Sequence, residues 1–177
     1  MTTRRDVLAG LGGALFATWA TAPSDAAAQQ TTTQTTAPTL KVTGDVRTPL
    51  NLSPDELKTM PRAKVEVKDE DGRVVSYEGV LVGEILKRAG AALGGELRGN
   101  AVATYVVASA TDGYQVVFSL AELDPAFTGS QIIVADTIDG KPLFAYQGPL
   151  RIVASKDNRP ARSIRMLERL DVVRVKK

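Results

Sequence analysis

Three Asp-Gly pairs constrain this chain more than any other feature: Asp71-Gly72, Asp112-Gly113 and Asp139-Gly140. Glycine reaches the positive φ of a tight two-residue turn without steric cost, and Asp-Gly between β-type residues is a hairpin signal. The flanks have that character. Residues 63–68, with Val65 and Val67 alternating, lead into the first pair, and 74–77 leave it. The second pair joins Thr-Tyr-Val-Val-Ala at 104–108 to Tyr-Gln-Val-Val-Phe at 114–118. The third follows 131–135 and precedes Lys141-Pro142-Leu143. Two more strands are predicted at 150–154 and 170–175. Alternation places Val106, Val116, Phe118, Ile133 and Ile152 inside.

The predicted helices are short. In Ser53-Pro54-Asp55-Glu56 the serine caps, the proline fits the first turn and the glutamate completes a capping box. Ser119-Leu120-Ala121-Glu122 repeats the device and must stop before Pro125. Val82, Ile85, Leu86 and Ala89 share a helical face that ends at Gly90. Residues 162–168 have room for a further turn or two. Many strands with few short helices predict an α+β, β-rich domain of mixed sheets.

The N-terminus is read separately. Arg4-Arg5 precede an apolar, glycine-rich run at 7–22, and Ala26-Ala27-Ala28 supplies a small-residue cleavage signal. These are the three parts of a secretory signal, and the arginine pair points to the twin-arginine route. The expected cut follows Ala28, because Pro23 follows the earlier Ala20-Thr21-Ala22. The run is shorter than the roughly 20 residues of a membrane-spanning helix, so no stable span is expected after cleavage. Residues 29–38, Thr- and Gln-rich, read as a disordered linker. The domain is expected over 39–177, in the periplasm or an equivalent exported compartment.

Composition then removes whole classes of chemistry. The chain has no Cys and no His. Without them there is no disulfide framework, no serine-protease-type triad, no thiolate or imidazole zinc site and no haem histidine. The signal carries two charges of each sign, so the net charge of +2 is unchanged by its removal. That near-balance gives no global attraction to nucleic acid.

The order of pieces is more telling than any one of them. Thr48-Pro49-Leu50-Asn51-Leu52-Ser53 is followed by Tyr77-Glu78-Gly79-Val80 and then by Lys87-Arg88-Ala89-Gly90. Asp112-Gly113-Tyr114 leads to Leu120-Ala121-Glu122-Leu123, and Asp139-Gly140-Lys141-Pro142-Leu143 to Gly148-Pro149-Leu150-Arg151-Ile152-Val153. Arg162-Ser163-Ile164-Arg165-Met166-Leu167 and a last strand close the chain. This ordered set resembles the molybdopterin-binding domain of sulfite-oxidase-type oxidoreductases, over about residues 40–177. The resemblance implies that family's fold, a pterin cofactor and oxidoreductase or electron-transfer work with a redox partner. It implies a pocket flanked by Tyr146, Gln147, Gly148 and Arg151 on one segment, and by Arg162, Ser163 and Arg165 on another. Three departures accompany it. The family's metal-binding cysteine is absent from 65–69, where this chain reads Val-Glu-Val-Lys-Asp. Gln147 stands where the family often has histidine, and the tight Asp71-Gly72 turn replaces a long loop.

Read from the residues alone, Arg151, Lys156, Arg159, Arg162 and Arg165 form either an anion site or a solvated basic loop. Guanidinium forks match phosphate geometry, and Ser155, Asn158 and Ser163 add neutral donors. Tyr114 and Tyr146 either line a flat ligand or pack. Asp69-Glu70-Asp71 is either a calcium-type cluster or a polar hairpin tip. Three functions follow: a pterin-binding oxidoreductase component without the cysteine ligand, a cofactor-free member binding a small anion or a partner protein, or a structural exported domain.

Overall fold

The computed structural model describes residues 39–176 apart from Glu70, so the signal and linker readings lie outside the described residues. The described chain forms two five-stranded sheets. The first contains β1 (Leu40–Gly44), β2 (Leu50–Leu52), β5 (Thr104–Ala110), β6 (Gln115–Ser119) and β10 (Leu167–Arg174). Its order is β2-β1-β10-β5-β6, with β1 and β10 parallel and the other pairs antiparallel. The second contains β3 (Arg62–Lys68), β4 (Val74–Leu81), β7 (Ile132–Ile138), β8 (Lys141–Pro142) and β9 (Arg151–Ala154). In it β7 is the hub, pairing β4, β8 and β9, all antiparallel.

All three Asp-Gly pairs sit at turns between paired strands, and Gly72, Gly113 and Gly140 have φ of +79°, +87° and +74°. The expected core residues are inside: Val106, Phe118, Ile133 and Ile152 are fully buried and Val116 nearly so. The main core lies between the sheets and helices. It combines Leu40, Val42, Phe118, Leu170 and Val172 with Ile85 and Leu86 of helix α2 (Val82–Arg88). Helix α1 (Pro54–Lys58) carries the reciprocal capping box, with Ser53 Oγ accepting from Glu56 N and the Glu56 carboxylate accepting from Ser53 N.

Two helical expectations are corrected. Ser119 and Glu122 do bond reciprocally, yet they start only a 3-10 turn at Ala121–Leu123, because Asp124 turns extended ahead of Pro125. The expected helix over 162–168 does not form beyond Arg162. Pro160–Arg162 makes one 3-10 turn, then Ile164 O and Leu167 N bond to Ile152 N and Leu150 O. Those bonds, with Met166 at φ +50°, hold 163–166 as an irregular segment beside β9 that leads into β10 at Leu167. Strands β1 and β2 were not foreseen at all.

Candidate functional site

Strand alternation decides where Arg151 points. On β9, Ile152 joins the main core while Val153 joins a second apolar cluster with Val65, Tyr77, Ile133 and Ala135 on the other face of the sheet. Arg151, two residues before Val153 and opposite Ala135, shares that second face. Its side chain is almost wholly buried, at 7 % exposure, and has no carboxylate partner among the described residues.

Arg151 Nη1 donates to Tyr77 Oη and to Gln147 Oε1, each at 3.0 Å. Nη2 makes a longer 3.5 Å contact to the Ser163 carbonyl, and the guanidinium carbon stands 4.8 Å from the Tyr77 ring centre. Buried Nε finds no acceptor among the described residues. Burial, above all, pulls the Arg151 pKa below its ordinary value; the nearby Arg165 charge acts in the same direction, and the two tyrosines oppose it. A buried cation held by neutral oxygens alone is an electrostatic demand that an anion would satisfy.

Gln147 passes this cluster outward. Its Nε2 donates to Tyr146 Oη at 2.9 Å while its Oε1 holds Arg151. Tyr146 is 59 % exposed, with Phe144 stacked on its ring at 5.8 Å and Arg165 lying 5.5 Å over the same ring. Phe144, Tyr146 and the Arg165 guanidinium thus form a solvent-facing stack beside the buried guanidinium. The turn carrying it is held by Gln147 N and Gly148 N, which both donate to the Phe144 carbonyl. A Cβ at Gly148 would lie 3.0 Å from Leu143 Cβ.

The structure brings Tyr146, Gln147, Gly148, Arg151 and Arg165 together, with the Ser163 carbonyl. It sends Arg162 elsewhere. That guanidinium forks onto both Asp157 oxygens at 2.8 and 2.7 Å, meets Glu122 at 3.0 Å and covers the Phe118 ring. Those partners, led by Asp157, raise its pKa further above neutrality. Ser163 Oγ is engaged as well, accepting from Ala154 N. Tyr114 bonds the Ala161 carbonyl through its hydroxyl. Asp69 is occupied in its own turn by Arg73 and by the backbone of Asp71 and Arg73. Two participants were not read from the sequence, Tyr77 and Phe144. Tyr77 lies 74 positions from Arg151, and only the pairing of β4, β7 and β9 brings them together.

Two cavities lie away from this cluster. One, about 180 Å³, is walled by Leu81, Leu123, Pro125 and the 128–132 segment. The other, about 210 Å³, lies among Asp45, Arg47, Glu96 and Arg174, whose charges pair with one another.

The model of the oxidoreductase molybdopterin binding domain matches residues 27–177. Among solved structures, the sulfane dehydrogenase SoxCD from Paracoccus pantotrophus superposes with a TM-score of 0.59 at 16 % identity. The match covers 76 % of this chain and 37 % of that one, so this chain spans a little over a third of the larger protein. No curated protein matches the chain.

The residues present fit such a cofactor in part. Among the described residues, a buried guanidinium without a counter-charge, an exposed arginine with no carboxylate partner and a stacked aromatic pair suit a phosphate and a flat ring. Nothing in the chain offers a thiolate to molybdenum, and Arg162 and the Ser163 hydroxyl are committed to the protein itself. The metal-anchoring half therefore does not fit, and no redox step is derived through it.

Proposed function

From the premise that the chain belongs to the oxidoreductase molybdopterin binding domain family, we propose that it is an exported member that takes a flat, anionic, pterin-class ligand without a protein ligand to metal. The observation that carries this reading is Arg151, nine-tenths buried and, among the described residues, without a carboxylate partner. In the proposed role Arg151 and Arg165 hold the anionic end, Gln147 fixes both the guanidinium and the Tyr146 hydroxyl, and the Phe144–Tyr146 pair offers an aromatic face. Charge-assisted hydrogen bonds of this kind contribute about 1.5–3 kcal/mol each where water is excluded. Export by the twin-arginine route belongs to the same reading, because that route carries folded, cofactor-loaded proteins.

The test is pterin and molybdenum analysis of protein purified from its exported compartment. Pterin near one per chain is expected, and Arg165→Ala should weaken its retention about tenfold, the equivalent of roughly 1.4 kcal/mol, with the melting temperature almost unmoved. A chain that carries no pterin, and binds none when purified pterin is supplied, sinks this reading. The second reading, a cofactor-free member that docks a partner protein, is favoured by one observation. The stack of Phe144, Tyr146 and Arg165 stands at the surface rather than in either of these cavities.

A further inference from the structure

Five polar side chains are buried among the described residues: Thr104, Ser109, Asp124, Gln147 and Arg151. The acid among them is already engaged, since Asp124 accepts from the backbone N–H groups of Gly94 and Ala126. Gln147 and Arg151 hold each other. The amide oxygen of Gln147 therefore stands where a buried guanidinium ordinarily finds a carboxylate.

The donors of Arg151 show which edge is left over. A terminal guanidinium nitrogen carries two hydrogens. Both of those on Nη1 are used, by Tyr77 Oη and Gln147 Oε1. Nη2 has the 3.5 Å contact to the Ser163 carbonyl, and Nε has no acceptor among the described residues. Nε and Nη2 share the side-on edge of the guanidinium, the edge that takes two oxygens of one anion. The second cation is tied to the same amide: the Arg165 guanidinium lies over the ring of Tyr146, whose hydroxyl accepts from Gln147 Nε2. Gln147 thus organises the surroundings of two arginines, neither of which has a carboxylate partner among the described residues, and brings no charge to either.

We infer that Gln147 sets the charge class of the ligand: its neutral amide positions Arg151 and Tyr146 and reserves the Arg151 charge for an anion of the phosphate class, so a neutral ligand does not complete the site. The inference rests on the proposed reading of this cluster as a ligand site. A carboxylate at 147 would do from within what the ligand does from outside. Glutamate has the size of glutamine, so one of its oxygens would replace Gln147 Oε1 on Arg151 Nη1. The Tyr146 hydroxyl, which accepts from Gln147 Nε2, can donate to the second oxygen instead, because a hydroxyl does both. No hydrogen bond is lost in the exchange, and a negative charge arrives beside a buried positive one. Gln147→Glu should therefore stabilise the empty chain and remove its response to anions.

Thermal melts of the full chain, produced in a host that makes no molybdopterin, test this in chloride and in inorganic phosphate at matched ionic strength. In chloride, Gln147→Glu should melt about 3 °C or more above the wild type. Phosphate should then raise the wild type more than the variant and narrow that gap, because an anion that binds the folded state stabilises it. A general effect of phosphate on protein stability moves both chains alike and leaves the gap as it was. Gln147→Met keeps the side-chain length and adds no charge, and it should melt below the wild type in both buffers, which separates charge from packing. Two melting results overturn the inference: Gln147→Glu at or below the wild type in chloride, or a gap that phosphate leaves unchanged. The pterin reading fails separately. A wild type that takes up no pterin, with a gap that phosphate narrows, loses that reading and keeps this one. Pterin retained by Gln147→Glu as firmly as by the wild type keeps that reading and overturns this one.

Discussion

Arg162→Met separates a structural arginine from a binding one. Methionine keeps most of the apolar stem that covers Phe118 and removes only the charge. The Arg162 side chain is 35 % exposed, against 27 % for Glu122 and 21 % for Asp157, so water screens both bridges in part. Exposed pairs contribute about 0.2–1 kcal/mol each, and the forked geometry on Asp157 puts this network at the upper end. The guanidinium over Phe118 adds about 0.5–1 kcal/mol. The sum is about 2.5–3 kcal/mol, or about 8–10 °C in melting temperature for a domain of this size. Thermal melts followed by circular dichroism measure it. Added salt should shrink the gap between wild type and variant, since the lost interactions are mainly ionic. If Arg162→Met melts with the wild type yet abolishes ligand retention, Arg162 serves the site and the structural argument fails.

Two further outcomes follow from the second sheet. Burial alone would raise the Asp136 carboxyl, but bonds from Arg62 at 2.6 and 2.8 Å and from the Thr137 hydroxyl outweigh it and hold its pKa below the ordinary value. A depressed folded-state pKa stabilises the fold above the unfolded value, and that stabilisation fades as pH falls through the folded one. The melting-temperature gap between wild type and Asp136→Asn should therefore be open at neutral pH and close below about pH 4; a gap constant over that range contradicts the assignment. At Gly79 a Cβ would come within 1.9 Å of the Val134 carbonyl oxygen, at the irregularity between β4 and β7. Gly79→Ala should cost about 3 kcal/mol or more, visible as a lowered urea midpoint, and a variant as stable as wild type would show that β4 and β7 can separate locally.

What was legible in the sequence was local. Asp-Gly turns, the Ser53 capping box and the α2 face each encode their geometry within a few residues, and each stands in the structure as read. The helix expected at 162–168 failed because its competitors lie outside it. Leu150 and Ile152 supply bonding partners that only the folded sheet brings alongside. Strand β1 went unread for the same reason. Its pairing is parallel to β10 at the far end of the chain, where Val42 meets Leu170, and no turn announces such a contact.

The site shows the same division with higher stakes. Arg162 and Arg165 are indistinguishable as sequence: both are arginines in one basic segment. What separates them is where acids end up. Asp157 is five positions from Arg162 and Glu122 is forty away, and both reach it only because the Pro160–Arg162 turn lays the guanidinium over Phe118. Arg165 meets a tyrosine ring and no carboxylate among the described residues. Strand parity gives Arg151 its burial, and a distant tyrosine, Tyr77, gives it a neutral partner. An arginine's role in this domain is therefore set by the charge that the fold delivers to it. Where a carboxylate arrives, the guanidinium is a strut. Where only neutral oxygens and aromatic faces arrive among the described residues, as at Arg151 and Arg165, its charge is the one the proposed ligand would meet.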